Sequence, residues 1–270
     1  MAETPSAEKL VPRLAATVLL VRDSSAGIEV FMLRRNLNSD FVGGAYVFPG
    51  GAVDQSDKTD PGLAGVCGGF SDSEASLRLG VESGGLAQYV AAIRESFEEA
   101  GVLLARDGDG RHVALDADAE FWASARQDVY DGKVRLAQLC RERGLQLEVD
   151  QVGYFSHWIT PEGPPRRFDT RFFVARMPEG QTPLHDGGET VDSAWISPVV
   201  ALERQRKGEF EMIFPTIKNL EDVARFDTVD DLMADVAKRR DIPAIMPRLV
   251  KRDGQLVPLL PGDDGFDEAG

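Results

Sequence analysis

An α/β fold, a sheet with helices packed on it, is predicted by three features of the sequence. Short runs rich in β-branched and aromatic residues recur at 14–21, 28–33, 45–48, 151–159, 168–175 and 190–196. Segments of helical periodicity separate or follow them, at 89–100, 118–130, 133–143 and beyond 197. The strongest of these helices carries Tyr89, Ile93 and Phe97 at i, i+4 and i+8, an apolar stripe that must bury against something flat.

The elements follow in order. Residues 1–10 are polar and read as a frayed start. The runs 14–21 and 28–33 flank Asp23-Ser24-Ser25-Ala26-Gly27, a loop composition, and so predict a hairpin. Arg34 and Arg35 end its second strand; surface charge is the simpler role, and a phosphate contact is the alternative. A short buried strand, 45–48, runs into Pro49, Gly50 and Gly51, where paired glycines allow a turn or a close backbone approach that a side chain would block. Residues 54–86, rich in Gly, Ser and Asp, predict a surface excursion with one short helix. After the helix that Gly101 ends, a Gly/Asp loop at 105–111 leads to a helical hairpin over 118–130 and 133–143, stopped by Gly144.

The strand at 151–159 ends in the rigid loop Thr160-Pro161-Glu162-Gly163-Pro164-Pro165. Arg166 and Arg167 form a basic hairpin tip before the strand at 168–175, and guanidinium forks suit phosphate. His157 has no partner pattern and reads as a structural hydrogen-bonder. The acidic loop Asp186-Gly187-Gly188-Glu189 precedes the strand at 190–196; Ser197 and Pro198 are then a helix N-cap and first turn. Helices to Arg225 and over 228–240 follow, and 245–250 with 256–260 around Asp253-Gly254 predict a terminal hairpin before a disordered acidic tail. No internal repeat is present.

Composition bounds the function. The chain has 270 residues, 43% hydrophobic and 28% charged, the profile of an ordinary globular protein with a full core. A formal net charge of −15 excludes non-specific nucleic-acid binding, which needs a basic footprint. Two cysteines without CxxC spacing, Cys67 and Cys140, point to reduced thiols. With no apolar leader, spanning run or terminal address motif in view, the expectation is a cytoplasmic protein that engages neither membrane nor nucleic acid. A homodimer is left open.

The chemistry concentrates on one helix. Glu95, Glu98 and Glu99 sit at i, i+3 and i+4, so their carboxylates share one face and repel. A solvated acidic face is the plain reading. The alternative is a site for a hard divalent cation, whose preferred ligands are carboxylate oxygens.

Context favours the cation. Gly50-Gly51, preceded by Phe48-Pro49, and the run Arg94-Glu95-Ser96-Phe97-Glu98-Glu99-Ala100-Gly101-Val102 together resemble the Nudix hydrolase signature, G-x(5)-E-x(7)-R-E-U-x-E-E-x-G-U. Only Ser96 departs from the second half, where an apolar residue is usual. Between Gly51 and Arg94 stand 42 residues where the signature has thirteen, and Leu86 occupies the place, eight before Arg94, of its first Glu. Asp54 or Asp57 is the candidate substitute. That insertion, with Trp158-Ile159-Thr160-Pro161 and Arg167-Phe168-Asp169-Thr170-Arg171-Phe172-Phe173, resembles the branch that includes peroxisomal coenzyme A diphosphatases and their bacterial relatives.

The resemblance implies an α/β/α sandwich with a mixed central sheet, an insertion within the signature loop and extra C-terminal helices. It implies a single enlarged domain over 1–270, with a core at about 12–225, the insertion at about 55–86 and a helical and hairpin extension at 226–262. It implies Mg²⁺ or Mn²⁺ held by Glu95, Glu98 and Glu99, with Glu189, or else Glu162, as a ligand or base from outside the signature. Arg94 would orient a glutamate instead of touching substrate. Gly50, Gly51, Arg166, Arg167 and Arg34 are the candidate substrate contacts. The activity implied is hydrolysis of a nucleoside diphosphate linked to another group, with coenzyme A or acyl-CoA first. ADP-ribose, NADH or nucleotide sugars are the second reading, and a non-catalytic nucleotide sensor the third; the intact Arg94, Glu95, Glu98, Glu99 set argues against the sensor.

Overall fold

The computed structural model describes residues 10–38, 42–252 and 255–268. The polar start at 1–9 and the turn Asp253-Gly254 lie outside the described residues.

β1 (Arg13–Ser24) and β2 (Gly27–Arg35) pair antiparallel, and their side chains set the layers. Strand side chains alternate between faces. Ala16, Val18 and Leu20 of β1, with Phe31 and Leu33 of β2, bury on one side; Leu19, Val21, Val30 and Met32 bury on the other. A strand apolar on both faces belongs inside a sandwich.

β3 (Tyr46–Val47) pairs with β2, and β4 (Gly50–Ala52) turns back along β1, Gly50 opposite Thr17 and Gly51 opposite Ala16. Three helices follow: α1 (Gln55–Thr59), α2 (Leu63–Val66) and α3 (Asp72–Leu79). α3 has a capping box, in which the Ser71 hydroxyl accepts from the Glu74 N–H while the Glu74 carboxylate accepts from Ser71. The expectation of a surface excursion with one helix is therefore corrected. Leu63, Val66, Ala75 and Leu79 are buried in the same core as Ile93 and Phe97, because glycine- and serine-rich spacers conceal a few well-placed apolar residues.

α4 (Gly85–Ala100) lies on the sheet against β1, β4 and α3. β5 (Ala105–Arg106), α5 (Ala119–Tyr130), α6 (Leu136–Arg143) and β6 (Gln146–Leu147) complete that side, α5 and α6 forming the expected helical pair. β7 (Gly153–Ile159) and β8 (Phe168–Arg176) form an antiparallel pair; β8 runs parallel to β1, and β9 (Thr190–Ile196) runs antiparallel to β2. α7 (Pro198–Arg206), α8 (Phe214–Val223) and α9 (Val229–Val236) supply the opposite layer, burying Ala201, Leu220 and Leu232 against the second face. β10 (Ala244–Ile245) adds to β7, and β11 (Arg248–Arg252) pairs with β12 (Gln255–Leu259) as the terminal hairpin. The result is a mixed eight-stranded sheet between two helical layers. Instead of a disordered tail, the described end folds back in turns, where the Phe266 carbonyl accepts from Arg248 at 2.6 Å.

Candidate active site

α4 places the three glutamates in its last two turns, where the helix dipole is negative and carboxylates are disfavoured. Gly101, at φ 65°, ends the helix: its N–H donates to the Phe97 carbonyl, and the Val102 N–H donates to the Ser96 carbonyl. All three carboxylates are buried. Tyr89, Ile93 and Phe97 anchor the opposite face, and Ser96 is fully buried with its hydroxyl unpartnered among the described residues, an apolar position filled by a small polar group.

One guanidinium organises this end of the helix. Arg94 Nη1 donates to Glu95 Oε1 at 2.8 Å and to Glu98 Oε2 at 3.0 Å. Its Nη2 donates to the Ala52 carbonyl at 2.8 Å and to Asp57 Oδ2 at 3.0 Å, while Nε lies 3.2 Å from Asp57 Oδ1. Arg94 thus ties helix, glycine corner and α1 together.

Of the two candidates for the missing signature carboxylate, Asp57 is the buried one against Arg94, while Asp54 is exposed, 3.9 Å from it. Asp57 is 4% exposed, and it also accepts from the Asp54 N–H at 2.9 Å. Counted forward from Gly51, five residues intervene before Asp57, the spacing of the signature's first Glu. The insertion lies after it, with 36 residues between Asp57 and Arg94 where the signature has seven. Counting forward from the glycine, instead of back from Arg94, would have found it.

The glycines are required by close approach, since neither Gly50 nor Gly51 has positive φ. A Cβ on Gly51 would stand 2.5 Å from Glu95 Oε1, and one on Gly50 would stand 2.3 Å from Thr17 Oγ1. The Gly50 N–H donates to Glu99 Oε2 at 2.9 Å.

Three buried carboxylates, Asp57, Glu95 and Glu98, therefore share one arginine, with Glu99 buried beside them. Burial lifts Glu95 to about 8, against the pull of Arg94 and with the push of Glu98. Burial and then the Glu95 charge hold Glu99 well above the usual carboxylate range. Glu98 and Asp57 are raised by burial and lowered by Arg94. Arg94 is held charged by Glu95 and Asp57 despite its own burial.

Glu95, Glu98 and Glu99 line a cavity of about 550 Å³, together with Arg35, Arg166, Tyr130 and Glu189. Each of the three commits one oxygen to Arg94 or Gly50, and the other has no hydrogen-bond partner among the described residues. No three His, Cys, Asp or Glu side chains among the described residues already form a metal cage, because Arg94 draws Glu95 and Glu98 to itself. The donor set nevertheless fits a hard divalent ion: surplus buried negative charge, oxygen only, beside an open cavity.

Other expected contacts divide. Arg166 and Glu189 line the cavity; Glu189 accepts from the Tyr130 hydroxyl at 3.3 Å and lies 3.9 Å from Arg35. Arg34, Arg167 and Glu162 do not line it. Arg34 donates to the Gly44 carbonyl at 3.3 Å and covers the Tyr46 ring, because strand alternation turns it away while Arg35 faces α4. Arg167 is committed to the Thr160 and Pro161 carbonyls at 3.1 Å and to the Leu10 carbonyl at 2.9 Å. Tyr130, contributed by α5, was not singled out by any sequence pattern. His157 is the structural hydrogen-bonder expected, 2.5 Å from Asp169 Oδ1.

Comparison with known proteins accords with this geometry, and the chain belongs to the Nudix hydrolase family. The NUDT19 Nudix domain matches residues 68–223. Acyl-coenzyme A diphosphatase NUDT19 of Gallus gallus is 30% identical over 89% of this chain and 73% of its own length. The Homo sapiens protein of that name is 29% identical over 90% and 73%, and the Xenopus laevis one 26% over 92% and 73%. A solved Nudix hydrolase from Alicyclobacillus acidocaldarius superposes with a TM-score of 0.69 at 27% identity, covering 86% of this chain and 98% of that one. No helix among the described residues is long and apolar enough to cross a membrane.

Proposed function

We propose that this chain hydrolyses the diphosphate of coenzyme A or acyl-CoA, releasing 3′,5′-ADP and a 4′-phosphopantetheine product, with Mg²⁺ or Mn²⁺ as cofactor. The observation that carries the chemistry is the trio of one-sided, buried, undercompensated carboxylates on α4 beside a cavity of nucleotide size. The substrate class rests on the acyl-coenzyme A diphosphatases that resemble the chain along most of its length.

Glu95, Glu98 and Glu99 would hold the ion through the oxygens that face the cavity. A divalent ion, when bound, neutralises diphosphate charge and lowers the pKa of a coordinated water. Arg94 fixes the Glu95 and Glu98 rotamers, and the Gly50 N–H fixes Glu99. Arg35 and Arg166 take the substrate phosphates, and Glu189, steered by Tyr130 and Arg35, is the acidic group outside the signature. The same reading treats 1–270 as one enlarged Nudix domain, supported by two cores that share the strands of one sheet. It places the protein in the cytoplasm, in keeping with the free thiols of Cys67 and Cys140.

The test is a panel of CoA, acetyl-CoA, ADP-ribose, NADH and nucleotide sugars with product analysis. Metal-dependent release of 3′,5′-ADP, lost in Glu98→Gln and Glu99→Gln, is the expected result. Preference for ADP-ribose or NADH would overturn the substrate, and metal-independent turnover would overturn the ligand set.

A further inference from the structure

Beside the diphosphate cavity lies a second one of different chemistry. It encloses about 240 Å³ between the end of β7 (Trp158), the first turn of α8 (Phe214, Pro215) and the terminal hairpin (Leu249, Pro258). Phe168, Thr170, Phe172 and Ile213 line both cavities, so the two share a wall. Trp158 and Phe214 meet edge to face, 5.9 Å apart at 90°.

The second cavity offers little to a polar guest. The Trp158 indole N–H donates to Ser156 Oγ at 3.2 Å, and Thr160 Oγ1 accepts from the Phe168 N–H at 3.0 Å. The prolines have no N–H to give. A nucleobase or hydroxylated chain placed there would lose water and regain few hydrogen bonds, from the Thr160 and Thr170 hydroxyls at most, a penalty that hydrocarbon escapes.

We propose that this cavity receives the acyl chain of an acyl-CoA whose diphosphate lies among Glu95, Glu98 and Glu99. The proposal rests on the coenzyme A reading above and adds a residue-level account of chain preference. It makes the terminal hairpin a specificity element, because Leu249 and Pro258 close the cavity without lining the diphosphate site.

The experiment measures kcat/KM for CoA, acetyl-, hexanoyl- and dodecanoyl-CoA with the wild-type chain, Leu249→Asp and Leu249→Trp. Leu249 is 38% exposed, so both variants should fold and turn over CoA itself within about twofold of wild type. Wild-type kcat/KM should rise through KM by up to about fourfold per methylene, about 0.8 kcal/mol, until the cavity is full. Leu249→Asp should flatten that rise, and Leu249→Trp should bring the plateau to a shorter chain. An unchanged chain-length profile in both variants would overturn the proposal, as would an equal loss on CoA and acyl-CoA. Wild-type turnover of CoA without any chain-length effect would sink the acyl cavity alone. No turnover of CoA or its esters alongside turnover of ADP-ribose would sink the underlying reading.

Discussion

Removing the Asp57 carboxylate isolates what Arg94 does. In Asp57→Ala the guanidinium loses contacts at 3.0 and 3.2 Å and keeps Glu95, Glu98 and the Ala52 carbonyl. Breaking one side of a buried ion pair costs about 3–5 kcal/mol. The surviving partners hold the effect to the lower end, about 3 kcal/mol, or roughly 6–12 °C in melting temperature for a chain near this size. Freed from α1, Arg94 can pull Glu95 and Glu98 from their present rotamers. Loss of such an orienting contact weakens metal affinity or activity by about 10–100-fold. Asp57→Asn, which keeps the volume and one acceptor, should fall between the two. Thermal unfolding, paired with a Mg²⁺ titration of turnover, measures both effects. A melting point within about 2 °C of wild type together with an unchanged metal midpoint would refute the idea that Asp57 is the missing signature carboxylate.

Two further predictions concern the same corner. Because burial raises Glu95 to about 8 from 4.5, the folded metal-free chain holds protons that the unfolded chain releases. Its stability should therefore fall as pH rises between those values. A divalent ion should reverse the loss, so its gain in melting temperature should be larger at about pH 8.5 than at about pH 6; a pH-independent gain counts against buried carboxylates as ligands. The glycines should separate folding from chemistry. A Cβ on Gly50 meets the Thr17 backbone at 2.7 Å and should disrupt β1–β4 pairing, whereas the three atoms nearest one on Gly51 all belong to the Glu95 carboxylate. Gly51→Ala should thus fold and bind metal poorly, and Gly50→Ala should lose folded yield; equal effects on both would reject the distinction.

The sandwich was implied by the resemblance, and its trace in the residues is β1 and β2, apolar on both faces, which two-sided burial explains. The glutamate face was legible because three residues at helical spacing need no tertiary information to converge. The arginine pairs were harder. Arg34-Arg35 and Arg166-Arg167 each present two guanidiniums of equal chemistry, and only one of each pair reaches the cavity. At the first pair the missing step was available: Phe31, Leu33 and Arg35 share the face that packs toward α4, so parity selects Arg35. At the second it was not, since Arg167 is held by loop carbonyls and by Leu10, far away in sequence. The insertion misled for another reason. Its polar composition is that of a loop, yet Leu63, Val66 and Leu79 reach the core, and composition averages conceal a few residues at the right spacing.

The charge balance explains how so acidic a chain can accept a polyanion. A net charge of −15 spread over the surface is screened beyond about 8 Å at physiological salt, so it discourages a long phosphate backbone without deciding the potential inside a cavity. There the local set decides: Arg35, Arg94 and Arg166 against Asp54, Glu95, Glu98, Glu99 and Glu189. Without an ion that set is repulsive to diphosphate, and burial eases the repulsion only by pushing Glu95 and Glu99 toward neutral forms that coordinate poorly. A divalent ion held there would change the sign of the site's preference. It would favour the charged, coordinating form of the glutamates, leaving the arginines to meet phosphate without competition from bare carboxylates. On the proposed reading, an acidic exterior and an anion-binding interior become compatible through a locally bound cation, at the end of a helix whose dipole alone would disfavour every one of those glutamates.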